Sequence, residues 1–327
     1  MEQKLIVSSS PHIRSKDSVN SIMRDVFIAL TPATVWGIAK FGVNAFMVVA
    51  VAIIAAMVTE AAIQKMRGVP VTVSDWSAAL TGLLLAMNLP ASAPWWIPVI
   101  GSIFAIAIVK QAFGGLGHNF MNPALAARAM LMASWPVRMT AWTAPNGPAV
   151  GVDAVSTATP LAILKDSFSF DMAAAVSSSS PYIPELKDVF IGNIAGCIGE
   201  VSAGLLILGG LYLMYRKVIT WRIPTIYIGT VAVLTMILGG FDLNLTLYHL
   251  FTGGLMLGAF FMATDYASSP INPRGQMIFA FGCGLLTTVI RFYGGYPEGV
   301  SYSILLMNVA APLIEKYSGP RVFGGGK

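Results

Sequence analysis

Read from the N-terminus, apolar positions gather into ten long runs separated by short polar or glycine- and proline-rich segments, near 24–39, 41–59, 75–89, 95–110, 119–135, 189–213, 222–239, 246–264, 276–293 and 301–316. A helix crossing the hydrocarbon layer needs roughly 20 mostly apolar residues. The pattern therefore predicts an all-α polytopic membrane protein of about ten transmembrane helices, with both termini on one side. Runs three and five are short. Their breakers, Asn88-Leu89-Pro90 and Asn122-Pro123, predict half-helices or irregular turns, which a bilayer tolerates only where protein or a cavity satisfies the freed backbone groups. The expected organisation is a polar tail over 1–20, a first five-helix bundle over 21–135, a long loop over 136–188, a second five-helix bundle over 189–317 and a tail over 318–327. The first twenty residues carry His12, Arg14 and Lys16, and read as an exposed tail and not as a cleavable signal.

Composition agrees with this picture. Of 327 residues, 56% are hydrophobic and 11% charged, against about a quarter charged in soluble chains. A net charge of +5 is too weak and scattered for a nucleic-acid footprint, but it orients the spans. With the N-terminus cytoplasmic, fourteen of the twenty Lys and Arg fall on that face, as the positive-inside rule requires. Lys40, Arg138, Lys165, Lys187 and Arg291 fall on the other face, and Arg128 lies inside run five. The loop over 136–188 is then outside. Two cysteines, Cys197 and Cys283, exclude a disulfide framework, a four-thiolate zinc site or a self-contained iron-sulfur site within this chain.

Runs three to five read like runs eight to ten. Ala79-Leu80-Thr81-Gly82-Leu83 matches Leu250-Phe251-Thr252-Gly253-Gly254, Phe113-Gly114-Gly115 matches Tyr293-Gly294-Gly295, and Met121-Asn122-Pro123-Ala124 matches Met307-Asn308-Val309-Ala310. A repeat of five helices, an odd number, inverts its second copy, the arrangement in which transporters bind near the midplane at broken helices. That directs attention to Asn119, Asn122 and Asn308, although an Asn-Pro pair also serves simply to cap a helix. Glu200 lies near the middle of run six, where an acidic side chain costs roughly 3 kcal/mol on insertion scales; it is a candidate for a cation or proton path, or a structural carboxylate satisfied by neighbours. Asp25, Glu60, Asp242 and Asp265 stand near run ends, where water is expected to solvate them. Arg128, among small residues, is a candidate to snorkel, pair with an acid or contact a flavin or phosphate.

The outside loop contains Asp153-Ala154-Val155-Ser156-Thr157-Ala158-Thr159-Pro160-Leu161. With the block from Phe113 to Leu125, this resembles the D-type membrane protein of the Rnf ion-translocating electron-transport complexes (RnfD), a relative of the B-type component of the sodium-translocating NADH:quinone reductase. The resemblance covers about residues 10–317, and the short N-terminal tail favours the Rnf relative. It implies that a flavin transferase joins the phosphate of FMN to Thr159, with Asp153, Ser156 and Ala158 as the recognition positions of the attachment motif. Thr157 stands where glycine is common and offers a second hydroxyl. The residue types suit this: a threonine hydroxyl is a poor nucleophile unaided, so modification needs an enzyme and an exposed loop to meet it.

The resemblance further implies a complex that passes electrons between ferredoxin and NAD while moving sodium ions or protons. The partners would be the other Rnf subunits, of types A, B, C, E and G, in the cytoplasmic (inner) membrane of a bacterial or archaeal cell. A second flavin, riboflavin, would lie near the broken fifth helix, with Asn119 and Asn122 as contacts. The alternatives are the quinone-reductase component itself and, from another class, a non-redox five-plus-five solute channel or transporter.

Overall fold

The computed structural model describes residues 18–145, 159–166, 184–200, 202–296 and 298–319, and among these the chain is all-helical, with no strand. The first half gives α1 (Val19–Phe41), α2 (Val43–Met66), α3 (Ser77–Met87), α4 (Trp96–Ile103, continued by the π-helix Phe104–Gln111) and α5 (Pro123–Ser134). A short helix, α6 (Pro160–Asp166), follows. The second half gives α7 (Ala203–Tyr215), α8 (Arg222–Leu238), α9 (Leu243–Phe251), α10 (Leu255–Leu257, continued by the π-helix Gly258–Met262), α11 (Pro273–Tyr293) and α12 (Val300–Ser318).

Local signals explain the boundaries. Ser18 and Ser21 form a reciprocal capping box at the start of α1, satisfying donors that no helical carbonyl can reach. Gly42, with φ of 74°, turns the chain directly from α1 into α2. Over residues 45–58 the α2 sequence is apolar on every side, with Ile54 and Val58 exposed and Ala45, Ala52 and Ala56 buried, the composition of a lipid-facing helix with one small-residue packing stripe. Small residues also bring helices close. A Cβ on Gly82 of α3 would lie 2.7 Å from the Ala52 carbonyl oxygen of α2, and one on Gly209 of α7 would lie 2.5 Å from that of Ala29 in α1.

Three helices, α1, α2 and α11, are long and apolar enough to cross a membrane, and the pair α9 and α10, bent by 60°, makes a fourth if taken as one span. Shorter apolar helices are α3, α4 with its π-helical continuation, α7 and α8. Each of the ten apolar runs carries helix. Run six differs most from expectation. It divides into Leu186–Ile191, a non-helical stretch, a 3₁₀ turn at Ile198–Glu200 and then α7, because Gly192, Gly196 and Gly199 interrupt a stretch that hydropathy alone reads as continuous. Glu200 therefore sits on a turn and not at a helix centre. Run five also differs. Asn122-Pro123 begins a regular helix and does not break one.

One apolar core spans both halves. α1 packs on α7, α2 on α3 and α4, α5 on α4 and α12, α8 on α9 and α11, and α11 on α12. Inside it three interruptions of helix meet. The end of α3 at Asn88-Leu89-Pro90 runs against 197–198, through the Ile198 N–H to Leu89 carbonyl bond of 3.1 Å and an antiparallel bridge between Pro90 and Cys197. The third interruption, Thr252-Gly253-Gly254, separates α9 from α10.

Candidate functional site

α5 organises the polar interior. Asn122 is its N-cap, and its Oδ1 accepts from the N–H groups of Ala124 (3.0 Å) and Leu125 (3.2 Å), with Pro123 at the first helical position; this is the arrangement in which proline's missing donor is not needed. The Asn122 Nδ2 donates to the Met262 carbonyl at 3.3 Å, and its backbone N–H donates to Asn308 Oδ1 at 3.2 Å. The two asparagines matched in the sequence repeat thus touch. Asn119 Nδ2 donates to the Met121 carbonyl and to Asp265 Oδ2, at 3.1 and 3.3 Å.

Further along α5, Arg128 is buried. Its guanidinium donates to Asn88 Oδ1 at 2.8 Å and pairs with Glu298, so it neither snorkels nor faces lipid. Glu298 and Cys197 were not singled out by sequence; with Glu200 they bring three ligand-type atoms within 4.8 Å of one another. Cys197 Sγ donates to the Asn88 carbonyl at 3.3 Å, while Glu200 Oε1 is buried without a partner. Arg291, expected on the outer face, is buried instead. It donates to the carbonyl oxygens of Glu298 (2.8 Å), Thr252 (3.1 Å), Gly253 (3.3 Å) and His249, gathering carbonyls that the break after α9 leaves without helical donors.

The acids near run ends are not solvated as expected. Glu60 is 1% exposed and pairs with Lys110 at 2.8 Å, with Gln111 Nε2 at 2.8 Å from its Oε1; Lys110 Nζ also donates to Ser77 Oγ at 2.7 Å. Asp25 pairs with Arg216 at 2.9 Å, Asp265 accepts from Ser268 at 2.8 Å, and Asp242 caps α9 through Asn244 N–H at 2.8 Å. Asp242 stays partly exposed, whereas at Glu60, Asp25 and Asp265 the donors include side chains tens of residues away in sequence.

Two partly open cavities flank the Arg128 cluster. One, of about 100 Å³, is walled by α1, α3, the start of α5 and α10, and includes Leu84, Lys110, Asn119, Asn122 and Asp265. The other, of about 50 Å³, is lined by Arg128, Met132, Trp142, Tyr296, Glu298 and Tyr302, and lies at the opposite end of α5.

Thr159 heads α6, where its Oγ1 accepts from the Ala162 N–H at 3.2 Å. It is 3% exposed, whereas sequence predicted an open loop. Leu161 and Leu164 pin α6 into a small cluster with Val189, Ile194, Leu245 and Tyr248, and Lys165 Nζ donates to the Gly294 carbonyl. Asp153, Ser156 and Ala158, with Thr157, lie outside the described residues.

Residues 6–324 match the model of the NQR2, RnfD, RnfE family. The chain is 54% identical, over 99% of its length and 96% of the relative's, to the D subunit of the Na(+)-translocating ferredoxin:NAD(+) oxidoreductase complex of Acetobacterium woodii. It is 51% identical, over 97% of its length and 96% of the relative's, to the D subunit of the proton-translocating ferredoxin:NAD(+) oxidoreductase complex of Clostridium ljungdahlii. The D subunit of an ion-translocating oxidoreductase complex from Halorhodospira halophila is 39% identical over 97% of this chain and 94% of its own.

Proposed function

The chain belongs to the NQR2, RnfD, RnfE family, and from that premise we propose that it is the D-type membrane subunit of an ion-translocating ferredoxin:NAD oxidoreductase complex. In that complex electrons pass between ferredoxin and NAD while sodium ions or protons cross the membrane. The observation that carries this reading is identity of 54% and 51% to two such subunits across nearly the whole chain. The remaining Rnf subunits, of types A, B, C, E and G, would be its partners, and a flavin transferase its maturation enzyme.

FMN would be held covalently at Thr159. A phosphoester at Oγ1 leaves that oxygen able to accept from Ala162, so the start of α6 is compatible with the attached group. The burial of Thr159 means that the transferase must meet the segment before α6 settles on α9. Riboflavin would occupy the larger cavity, between α1, α3, the start of α5 and α10. There Asn119 would offer its amide, and Asn122, committed to capping α5, would fix the wall. Bound flavin supplies one-electron chemistry that no side chain offers, and the protein's part is to position it and exclude water.

Ten spans in two inverted five-helix repeats would form the membrane body, in the cytoplasmic membrane with both termini inside and the loop over 136–188 outside. Duplicated packing supports the repeat: α2 meets α3 and α4 as α8 meets α9 and α11, and α4 meets α5 as α11 meets α12. The hydrogen bond between the matched Asn122 and Asn308 fits a two-fold relation.

Intact mass and peptide mapping of the chain coexpressed with its transferase test the flavin. One FMN adduct is expected, fluorescent on a denaturing gel, lost in Thr159→Val and kept in Thr157→Val. Absence of the adduct, or its loss only in Thr157→Val, overturns the assignment.

A further inference from the structure

Among the described residues, four buried side-chain nitrogen or oxygen atoms have no partner: Glu200 Oε1, both ring nitrogens of His249, and Ser318 Oγ. Glu200 is the one whose setting defines a binding site. A buried carboxylate oxygen facing no donor is strongly disfavoured unless a positive charge or a proton reaches it. Glu200 hangs from the 3₁₀ turn where the three helix interruptions meet, beside Cys197 Sγ and the Glu298 carboxylate, with ligand atoms within 4.8 Å of one another. On its open side stands Gly254, where a Cβ would lie 3.6 Å from Oε1.

We infer that Cys197, Glu200 and Glu298 form a site for one monovalent cation, a sodium ion or a proton, placed between the two cavities and closed on the outer side by the Arg128–Glu298 ion pair. This deepens the reading of the chain as part of an ion-translocating complex and rests on it.

The charge count sets the valence. The groups facing Glu200 are Glu298, the guanidinium groups of Arg128 and Arg291, and the Cys197 thiol. The thiol lies 3.3 Å from the Asn88 carbonyl oxygen and is also within hydrogen-bond reach of the Glu200 carboxylate. Arg291 is anchored by four backbone carbonyls. Two carboxylates thus face two guanidiniums. The cluster is neutral before a cation enters, so a monovalent ion adds one excess charge to a low-dielectric interior and a divalent ion adds two, at the greater cost.

Access comes from the two ends. Glu298 and Arg128 line the outer cavity, so an ion arriving there meets Glu298 first. On the inner side, Leu84 of α3 and Ala124 of α5 line the larger cavity. Asn88 and Arg128, each four residues further along the chain, hydrogen-bond to one another and form the plug.

The purified complex tests this with sodium chloride against choline chloride at equal ionic strength, read as the thermal midpoint, and with the infrared band of a protonated carboxyl. Either sodium raises the midpoint and Glu200→Gln and Glu298→Gln abolish the rise, which identifies sodium, or the carboxyl band is present and vanishes in Glu200→Gln, which identifies a proton. If sodium is the ion, Arg128→Gln shifts the half-point of the response about tenfold lower, the effect of one competing ion pair removed. Glu315→Gln, an exposed acid elsewhere, keeps the parental sodium response and carboxyl band. The inference is overturned if Glu200→Gln changes neither readout. Gel fluorescence of covalent flavin in the same samples separates the outcomes: a flavin-bearing complex with an unresponsive Glu200 defeats the cation site alone, whereas a parent lacking flavin defeats the functional reading.

Discussion

Glu60 and Glu200 are buried almost equally, at 1% and 5% exposure, and their surroundings are opposite. Glu60 receives Lys110 and the amides of Gln111 and Gln64, and Lys110 in turn is held by Ser77. Every element near it, α2, α3 and the π-helical end of α4, is tied by that network. Glu200 keeps an oxygen with no donor, on an irregular turn, beside two other acidic or thiol groups. A saturated buried charge is part of the scaffold, because nothing remains for a ligand to satisfy. An unsaturated one is a cost that folding alone does not explain, and it leaves an acceptor free for a proton, a water or a cation.

Four substitutions, two of them combined, sharpen or break this contrast. Lys110→Met strands Glu60 in the interior and is expected to cost about 3–5 kcal/mol, the usual loss when one partner of a buried pair is removed; thermal unfolding of the detergent-solubilised protein reads it. The double variant Lys110→Met with Glu60→Gln recovers most of that loss. Arg291→Met releases the carbonyls of His249, Thr252 and Gly253 at the break after α9 and that of Glu298 after α11, and about 2 kcal/mol of destabilisation is expected from acceptors left unpaired. Glu200→Gln is expected to change stability by less than about 1 kcal/mol, since no hydrogen bond to Oε1 is lost. In reconstituted vesicles it lowers sodium or proton uptake far more than it lowers flavin content. If Glu200→Gln destabilises as much as Lys110→Met, the two acids play the same structural part and the contrast fails.

How much of this was legible in sequence follows from the range of the interactions. Helices were legible because each of the ten apolar runs carries one, and the Asn122-Pro123 start of α5 follows from local capping chemistry. The division of run six was not, because Gly192, Gly196 and Gly199 act through backbone geometry while their neighbours remain apolar. The solvation expected for Glu60 failed because Lys110, fifty residues on, is invisible to a reading by position within a run. Arg128 and Glu200 were found as charges out of place; Glu298 was missed because it lies in a polar turn after α11, where a carboxylate attracts no notice. The attachment motif at Thr159 was legible as a motif. Its burial depends on Leu161 and Leu164 reaching α9, a contact of tertiary origin.

α5 contributes to both cavities, through Asn122, Pro123 and Ala124 at one end and Arg128, Ala129 and Met132 at the other. A twelve-residue helix is a stiff rod about 18 Å long. The two chambers therefore share one wall, held at Arg128 by Asn88, and whatever shifts α5 alters both of them together.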